Sequence, residues 1–362
     1  MAAANLDTVG LAAVVAGGQI HEDLMDKIFD ISPIDLPFTD ICGRASKPKN
    51  PYRSWVEKEL AAADATNALI EGADAGSDES VTGRRVGTYH QLAGKTVRVS
   101  DRSSYFDTVG AADELALQIM ERQQELRRDV EARISSTLPA VAGNGTDAAD
   151  ETAGIGAWIA SRGSALNSAR GAGGDDPALS GTTGGYPDTE QTDGTERAIT
   201  ETILKSMIRA GYDAGGNLTH AMGRPVVIEI ISDYLFSSSA RIATLQSNVS
   251  QGNRSMASSG NGAQSGGVTA QGAVNMYVTN FGTLTLTPNR FQPVTADDTS
   301  SLYLIDQSLW KLSYAQGYTT KELAKTGTAN NRQITVDFAL LSMCELGNAV
   351  VADIDETAAM TT

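Results

Sequence analysis

Residues 111–138 read AADELALQIMERQQELRRDVEARISSTL. Leu115, Ile119, Leu126, Val130 and Ile134 recur at the spacing of one helical face, so this segment is expected to be an amphipathic helix. Asp113 and Glu114 suit the positive end of its dipole, and Pro139 stops it. At about 1.5 Å per residue the helix is on the order of 40 Å long. Glu121, Arg122, Glu125, Arg127, Arg128, Asp129, Glu131 and Arg133 are expected on its exposed sides. A spine of this kind has an apolar stripe to bury, and the chain on either side must supply the covering surface.

Upstream, residues 51–63 (PYRSWVEKELAAA) and 84–99 (RRVGTYHQLAGKTVRV) carry the aromatic and β-branched content of strands. The stretch between them includes NALIEGADAGSDES, which is small and acidic, so the pair reads as a long hairpin with a polar tip. Its flanks offer little continuous apolar surface, and a two-stranded ribbon alone is marginal, so it must rest on a neighbour or a partner chain. Before it, ISPIDLPFTDICGRASKPKNP spaces apolar residues between Pro33, Pro37 and Pro48. Proline fixes its own φ and lacks an amide donor, so residues 19–50 are expected to form an extended arm lying over another surface. The candidate contact residues are Ile31, Ile34, Leu36 and Phe38 on the arm, with Tyr52, Trp55 and Val56 on the hairpin.

Downstream, TERAITETILKSMIRAGY (195–212) is a second amphipathic helix ending at Gly215 and Gly216. PVVIEII (225–231) is almost wholly apolar and β-branched, which predicts a strand covered on both faces, with Ser232 capping a helix through Leu245. Segments 143–153, 171–194 and 247–273 are rich in Gly, Ser, Asn, Asp and Thr and are expected to be polar loops. MYVTNFGTLTLTP, SLYLIDQSLWKLSYA and RQITVDFALLSM make the last quarter mostly strand. The fold class is therefore α+β, with strands drawn from distant parts of the chain.

Composition narrows the function. With 362 residues, 41% hydrophobic and 20% charged, the chain is long enough for one large or two modest domains and too apolar for wholesale disorder. A net charge of −16 gives no basic footprint for a nucleic-acid binder. Cys42 and Cys344 lie far apart in apolar contexts and are expected as buried free thiols. The apolar patch at residues 11–16 has no Lys or Arg ahead of it, and no apolar run reaches the roughly 20 residues of a membrane span, so a soluble cytoplasmic product is expected.

Catalytic signals are missing. AGKT (93–96) resembles the end of a phosphate-binding loop, but Tyr89 stands where its first Gly must fall and a strand follows. His21, His90 and His220 are isolated, without a second ligand at metal spacing. No G-x-S-x-G elbow occurs, and neither Asp353, Asp355 and Glu356 nor Asp74, Asp78 and Glu79 has the pattern of a calcium loop. No catalytic, cofactor or metal residues are assigned, and an enzyme is not expected.

The arm segment PFTDICGRASKPKNPYRSWVEKEL, with VTNFGTLTLTPNRFQP and LYLIDQSLWKLSYAQGYTTKELAKTGTANNRQITVDFALLSMCELGNAVVADI, resembles a podovirus-type family of tailed-phage major capsid proteins with the HK97-like fold. The resemblance covers the arm and last third; the middle matches in element order. It implies an N-terminal arm (1–50), an extended hairpin loop (51–99), a peripheral domain with the spine helix (100–153), an axial domain (154–325) and peripheral C-terminal strands (326–362). It further implies a homo-oligomer of pentamers and hexamers enclosing double-stranded DNA without specific binding. Scaffolding and portal proteins are its implied partners, the virion capsid its location, and no membrane is involved. Two other readings stay open: a non-viral compartment shell of the same fold, marked by a cargo-binding segment in its partners, and a phage tail or adhesin domain. An adhesin is expected to show internal repeats and little helix, and neither holds here.

Overall fold

The computed structural model describes residues 25, 27–68, 70–72, 74, 80, 82–106, 110, 113–162, 166–181, 184–237, 275–293, 300–325 and 327–361. In chain order its elements are α1 (Pro37–Ile41), β1 (Gly43–Arg44), β2 (Tyr52–Glu57), β3 (Arg84–Tyr89), β4 (Gln91–Ser100), α2 (Glu114–Ile134), α3 (Ile155–Trp158), β5 (Ser168–Ala169), β6 (Ala178–Gly181) and β7 (Gly184–Thr189). There follow α4 (Glu201–Asp213), β8 (His220–Gly223), α5 (Pro225–Ser237), β9 (Met276–Thr279), β10 (Gly282–Pro288), β11 (Ser300–Ile305), β12 (Trp310–Glu322), β13 (Ala329–Ser342) and β14 (Ala349–Ile354). Among the described residues three sheets result, ordered β1-β12-β13-β4, β5-β14-β11-β8-β10-β9 and β2-β3-β7-β6.

The spine helix α2 covers the first sheet. Leu126, Val130 and Ile134 are buried with Val97, Trp310, Leu312, Ile334, Val336, Phe338 and Leu340, while Leu115 and Ile119 pack at the margin. Asp113 caps the helix by accepting from the amides of Leu115 and Ala116. The helix stops before Pro139, where the Ser136 hydroxyl takes the carbonyl of Arg133 at 2.7 Å. Two charges expected outside lie inside. Glu131 is fully buried. Arg133 pairs with Glu151 at 2.9 Å and donates to the carbonyls of Thr152 and Pro139, each at 2.8 Å.

Strand β4 is not the continuation of the hairpin. It pairs along its whole length with β13, from Ala329 opposite Ser100 to Phe338 opposite Gln91. The turn at His90 therefore hands the chain from the third sheet to the first.

Around the six-stranded sheet a second core gathers Leu204, Met207 and Ile208 of α4, Val227 and Ile231 of α5, and Leu284, Leu302, Leu304 and Val351 of the strands. Helix α4 is capped by Thr200, later than 195, because the amide of Glu201 bonds Thr361 and that of Arg197 bonds Asp353. Gly215 closes α4 at φ 88°, a left-handed position that glycine takes without strain.

PVVIEII is helical, not a strand. Pro225 opens α5, where a missing amide is harmless, and Val227 and Ile231 fall one turn apart on its buried face. The strand slot is already taken by β8, between β11 and β10. Ser232 consequently sits buried inside α5 and not ahead of a helix; residues 238–245 lie outside the described residues. Segment 171–194 also departs from expectation by holding β6 and β7. Its glycines are there for approach: a Cβ on Gly184 would fall 2.2 Å from the Arg85 carbonyl of β3. The expected loop 247–273 lies outside the described residues. SLYLIDQSLWKLSYA divides at Asp306, which accepts from the amides of Ser308 and Asn217, so β11 and β12 enter different sheets. Cys42 is buried and Cys344 half-buried, and both thiols are free. Among the described residues no helix is long and apolar enough to cross a membrane.

Candidate functional site

The arm is tethered at one end and bare at the other. Phe38 is 0% exposed and meets Trp310 edge-on at 5.7 Å. It is a core residue of its own chain, not a contact for a neighbour, because α1 begins at Pro37 and turns Phe38 inward. Glu131 fixes that turn: its carboxylate accepts from the amides of Phe38 (2.7 Å) and Thr39 (2.9 Å), the Thr39 hydroxyl (2.6 Å) and the Asn289 amide (3.1 Å). Burial pushes the Glu131 pKa up, against the pull of those donors. One side chain thus joins the arm, the spine helix and the loop after β10. Ahead of the tether, Ile31 is 96% exposed, Ile34 is exposed and Leu36 is half-buried. Met25, Ile28 and Phe29 are exposed as well and extend the apolar edge beyond the candidates chosen from sequence.

The hairpin root is also held at home. β2 and β3 pair from Tyr52 opposite Tyr89 to Glu57 opposite Arg84, and β3 joins β7 through Val86 and Gly185. Tyr52 packs on Tyr89 (4.9 Å) and Tyr186 (6.4 Å), and Trp55 packs on Trp158 (5.4 Å). Both aromatics are half-buried, with part of each ring packed on its own chain. Alternation along β2 sends Val56 to the opposite face, where it is 68% exposed. Past the root, Leu60 and Ile70 are exposed. Of the seven candidates, the outward set is Ile31, Ile34 and Val56.

Where the root meets the body, charges converge. Arg84 donates to Glu57 Oε2 from Nη2 (2.8 Å) and Nε (3.0 Å), and Arg162 Nη2 reaches the same oxygen at 3.0 Å. Glu345 Oε1 lies 3.2 Å from Arg162 Nε and 3.4 Å from Arg84 Nη2, while its Oε2 accepts from Ser161 at 2.8 Å. Glu59 pairs with Arg162 Nη1. Burial pushes the Glu345 pKa up to about 7 despite the Ser161 bond and the two guanidiniums. The four chain segments involved are far apart in sequence, and only the Glu57–Arg84 pair, at facing strand ends, had a local signal.

Several of the residues weighed for chemistry have structural partners. Lys95 of AGKT lies on β4 and pairs with Glu125 (3.3 Å) and Asp129 (2.9 Å) of the spine. His90 is buried beside Asp337 at 3.2 Å, and His220 bonds the Thr219 hydroxyl at 2.9 Å. Asp353 accepts from the Gly171 amide, and Asp355 caps Thr357. His21, Asp78 and Glu79 lie outside the described residues. Among the described residues no group of three or more His, Cys, Asp and Glu is placed to hold a metal. In the broad groove between α4 and the β9–β10 hairpin, Lys205 pairs with Glu201 (2.6 Å) and Arg209 with Asp213 (3.3 Å) within α4, and Arg162 pairs with Glu59.

A family model described as SU10 major capsid protein matches residues 4–355. The chain is 31% identical over 140 residues to the major capsid protein of Escherichia phage Phieco32, a match spanning 34% of this chain and 40% of that relative's length. Among solved structures it is similar to the capsid asymmetric unit of cyanophage A-1(L), with 11% identity, TM-score 0.58 and coverage of 92% of this chain and 97% of the other. The capsid asymmetric unit of cyanophage Pam1 gives 12%, 0.54, 97% and 98% in the same order. The holo-SrpI encapsulin complex from Synechococcus elongatus gives 10%, 0.50, 95% and 95%. At these identities the likeness shows a shared fold.

Proposed function

The chain belongs to the SU10 major capsid protein family, and from that membership we propose that it is the structural subunit of an icosahedral phage shell, built as pentamers and hexamers around double-stranded DNA. The HK97-like α+β fold, shared with two cyanophage capsid subunits, supports that role. The observation that carries the reading is the family match across 4–355, which takes in the arm, hairpin, spine and the strands of the three sheets. An arm anchored through Phe38 and bare at Phe29, Ile31 and Ile34 supports it, because bare apolar residues beside a fixed tether suit a surface on another copy. Burial of each such side chain contributes roughly 1.5 to 3 kcal/mol, and a ring of copies repeats the contact.

We assign the arm to 1–50, the axial domain to 154–325 around the six-stranded sheet, and the peripheral domain to 100–153 and 326–362. The hairpin loop of 51–99 is confined on this reading to 51–89, with β4 counted to the peripheral sheet it pairs with. The role is architectural and not catalytic, the location is the virion capsid, and scaffolding and portal proteins are its partners. A compartment shell shares the fold, as the encapsulin likeness illustrates, but the family model favours the phage reading.

Removing residues 1–35 spares Phe38, Thr39 and their bonds to Glu131 while deleting Phe29, Ile31 and Ile34. The expected product is folded protein that makes no closed shells under electron microscopy. Normal shells from this truncation contradict the arm's role. Cutting to residue 40 is a poorer test, since it also removes Phe38 from the core.

A further inference from the structure

We propose that Glu57, Arg84, Arg162 and Glu345 form a proton-controlled latch at the hairpin root, closed when Glu345 carries a proton and loosened when it does not. The geometry sets this up. Glu57 takes the well-made bonds, two from Arg84 and one from Arg162, at 2.8–3.0 Å. Glu345, whose side chain is 1% exposed, is left with the longer contacts at 3.2 and 3.4 Å. Arg162 Nε, the nearer of its cationic partners, makes no aligned hydrogen bond. Its one short bond is with the neutral Ser161 hydroxyl.

Glu59, itself exposed, also draws on Arg162, so three carboxylates share two guanidiniums, with Glu57 and Glu345 the buried members. A buried carboxylate without a cation of its own is costly, and neutralisation removes that cost. Glu345 is the group whose protonation disturbs the fewest good bonds. The polar and charged groups that face it are Glu57 on β2, Arg84 on β3, Ser161 and Arg162 after α3, and Asn167, whose amide reaches the Glu345 carbonyl. Burial pushing Glu345 up to about 7 is consistent with this arrangement.

Opening the root admits water to Glu345 and returns it to the ordinary carboxylate range. The closed state then binds the proton more tightly than the open state. Acid therefore favours closure, and raising the pH through neutrality favours opening. The latch would govern how firmly the stretch beyond Glu57 and Arg84 is held to its own chain. It belongs to the single subunit and does not depend on the shell reading.

Hydrogen exchange of the full-length protein tests it between about pH 5.5 and 8.5, with intrinsic rates divided out and the assembly state held constant by light scattering. Protection of amides in 52–57 and 84–89 is expected to fall above neutrality by up to about tenfold per pH unit, the limit for one proton. Glu345→Gln is expected to keep the acid-side protection at all these pH values, which also separates the effect from His90 at the other end of β3. Ser161→Ala removes a bond that favours the ionised form and is expected to move the midpoint up. Wild-type protection that is flat with pH, or that falls equally in Glu345→Gln, overturns the proposal. If Glu345→Gln does not fold, an unmoved midpoint in Ser161→Ala overturns it alone.

Discussion

Phe38 and Ile31 lie seven residues apart on one apolar, proline-bearing segment, yet one is sealed and the other bare. Phe38→Ala should therefore cost about 3–5 kcal/mol of stability, as for a fully buried aromatic. Ile31→Ala should leave the chain's own stability within about 0.5 kcal/mol, since an exposed side chain has little to lose. Urea unfolding of both variants measures the difference; equal losses would mean that Ile31 packs on its own chain. Glu131 is the second decisive residue. Its pKa is raised in the folded chain, so its contribution is fully present below the ordinary carboxylate range, about 4.3, and is lost as pH rises through the folded value. Wild-type stability should fall over that window relative to Glu131→Gln. An identical pH slope in the two would show that Glu131 does not set it. Its burial is hidden in the sequence because it borders the Val130–Ile134 stripe, where a charge is as easily read as a solvated flank.

The spine helix is legible because its stripe is long and its cap, Asp113, is local; replacing Asp113 with Ala should lower stability by about 1 kcal/mol. An unchanged unfolding midpoint would show that the first turn is held from elsewhere. Helix α5 is illegible for the opposite reason. Seven mostly apolar residues fit a covered strand or a buried helix equally, and the choice is made by β8 filling the sheet ahead of it. The β6–β7 ribbon is hidden by its glycines, whose role is to let two backbones close together and not to loosen a loop. At the hairpin, composition identifies the strands β2 and β3, but not that Trp55 packs against Trp158 and Tyr52 edge-on against Tyr186, since both partners lie about 100 residues or more away. Trp55→Ala should therefore destabilise the isolated chain, and a loss seen only in assembled particles would make Trp55 a contact between subunits instead.

At the scale of the molecule, the root of the hairpin and the root of the arm are each fixed to the chain's own core, one by the Trp55–Trp158 contact and the charge cluster, the other by Phe38 and Glu131. What remains outward is a set of apolar side chains near those fixed points: Phe29, Ile31 and Ile34 on the arm, Val56 and Leu60 on the hairpin. The sequence carried the family, the spine helix and the strand-rich last quarter, while the split between self-contact and outward contact emerged only when distant segments were brought together. The most direct test is electron microscopy of the full-length chain, expressed alone and with any scaffolding protein encoded beside it, next to the same chain lacking residues 1–35. Closed icosahedral shells from the first and folded, unassembled subunits from the second are predicted. A monodisperse 37.9 kDa monomer from the full-length chain would contradict its role as a shell subunit.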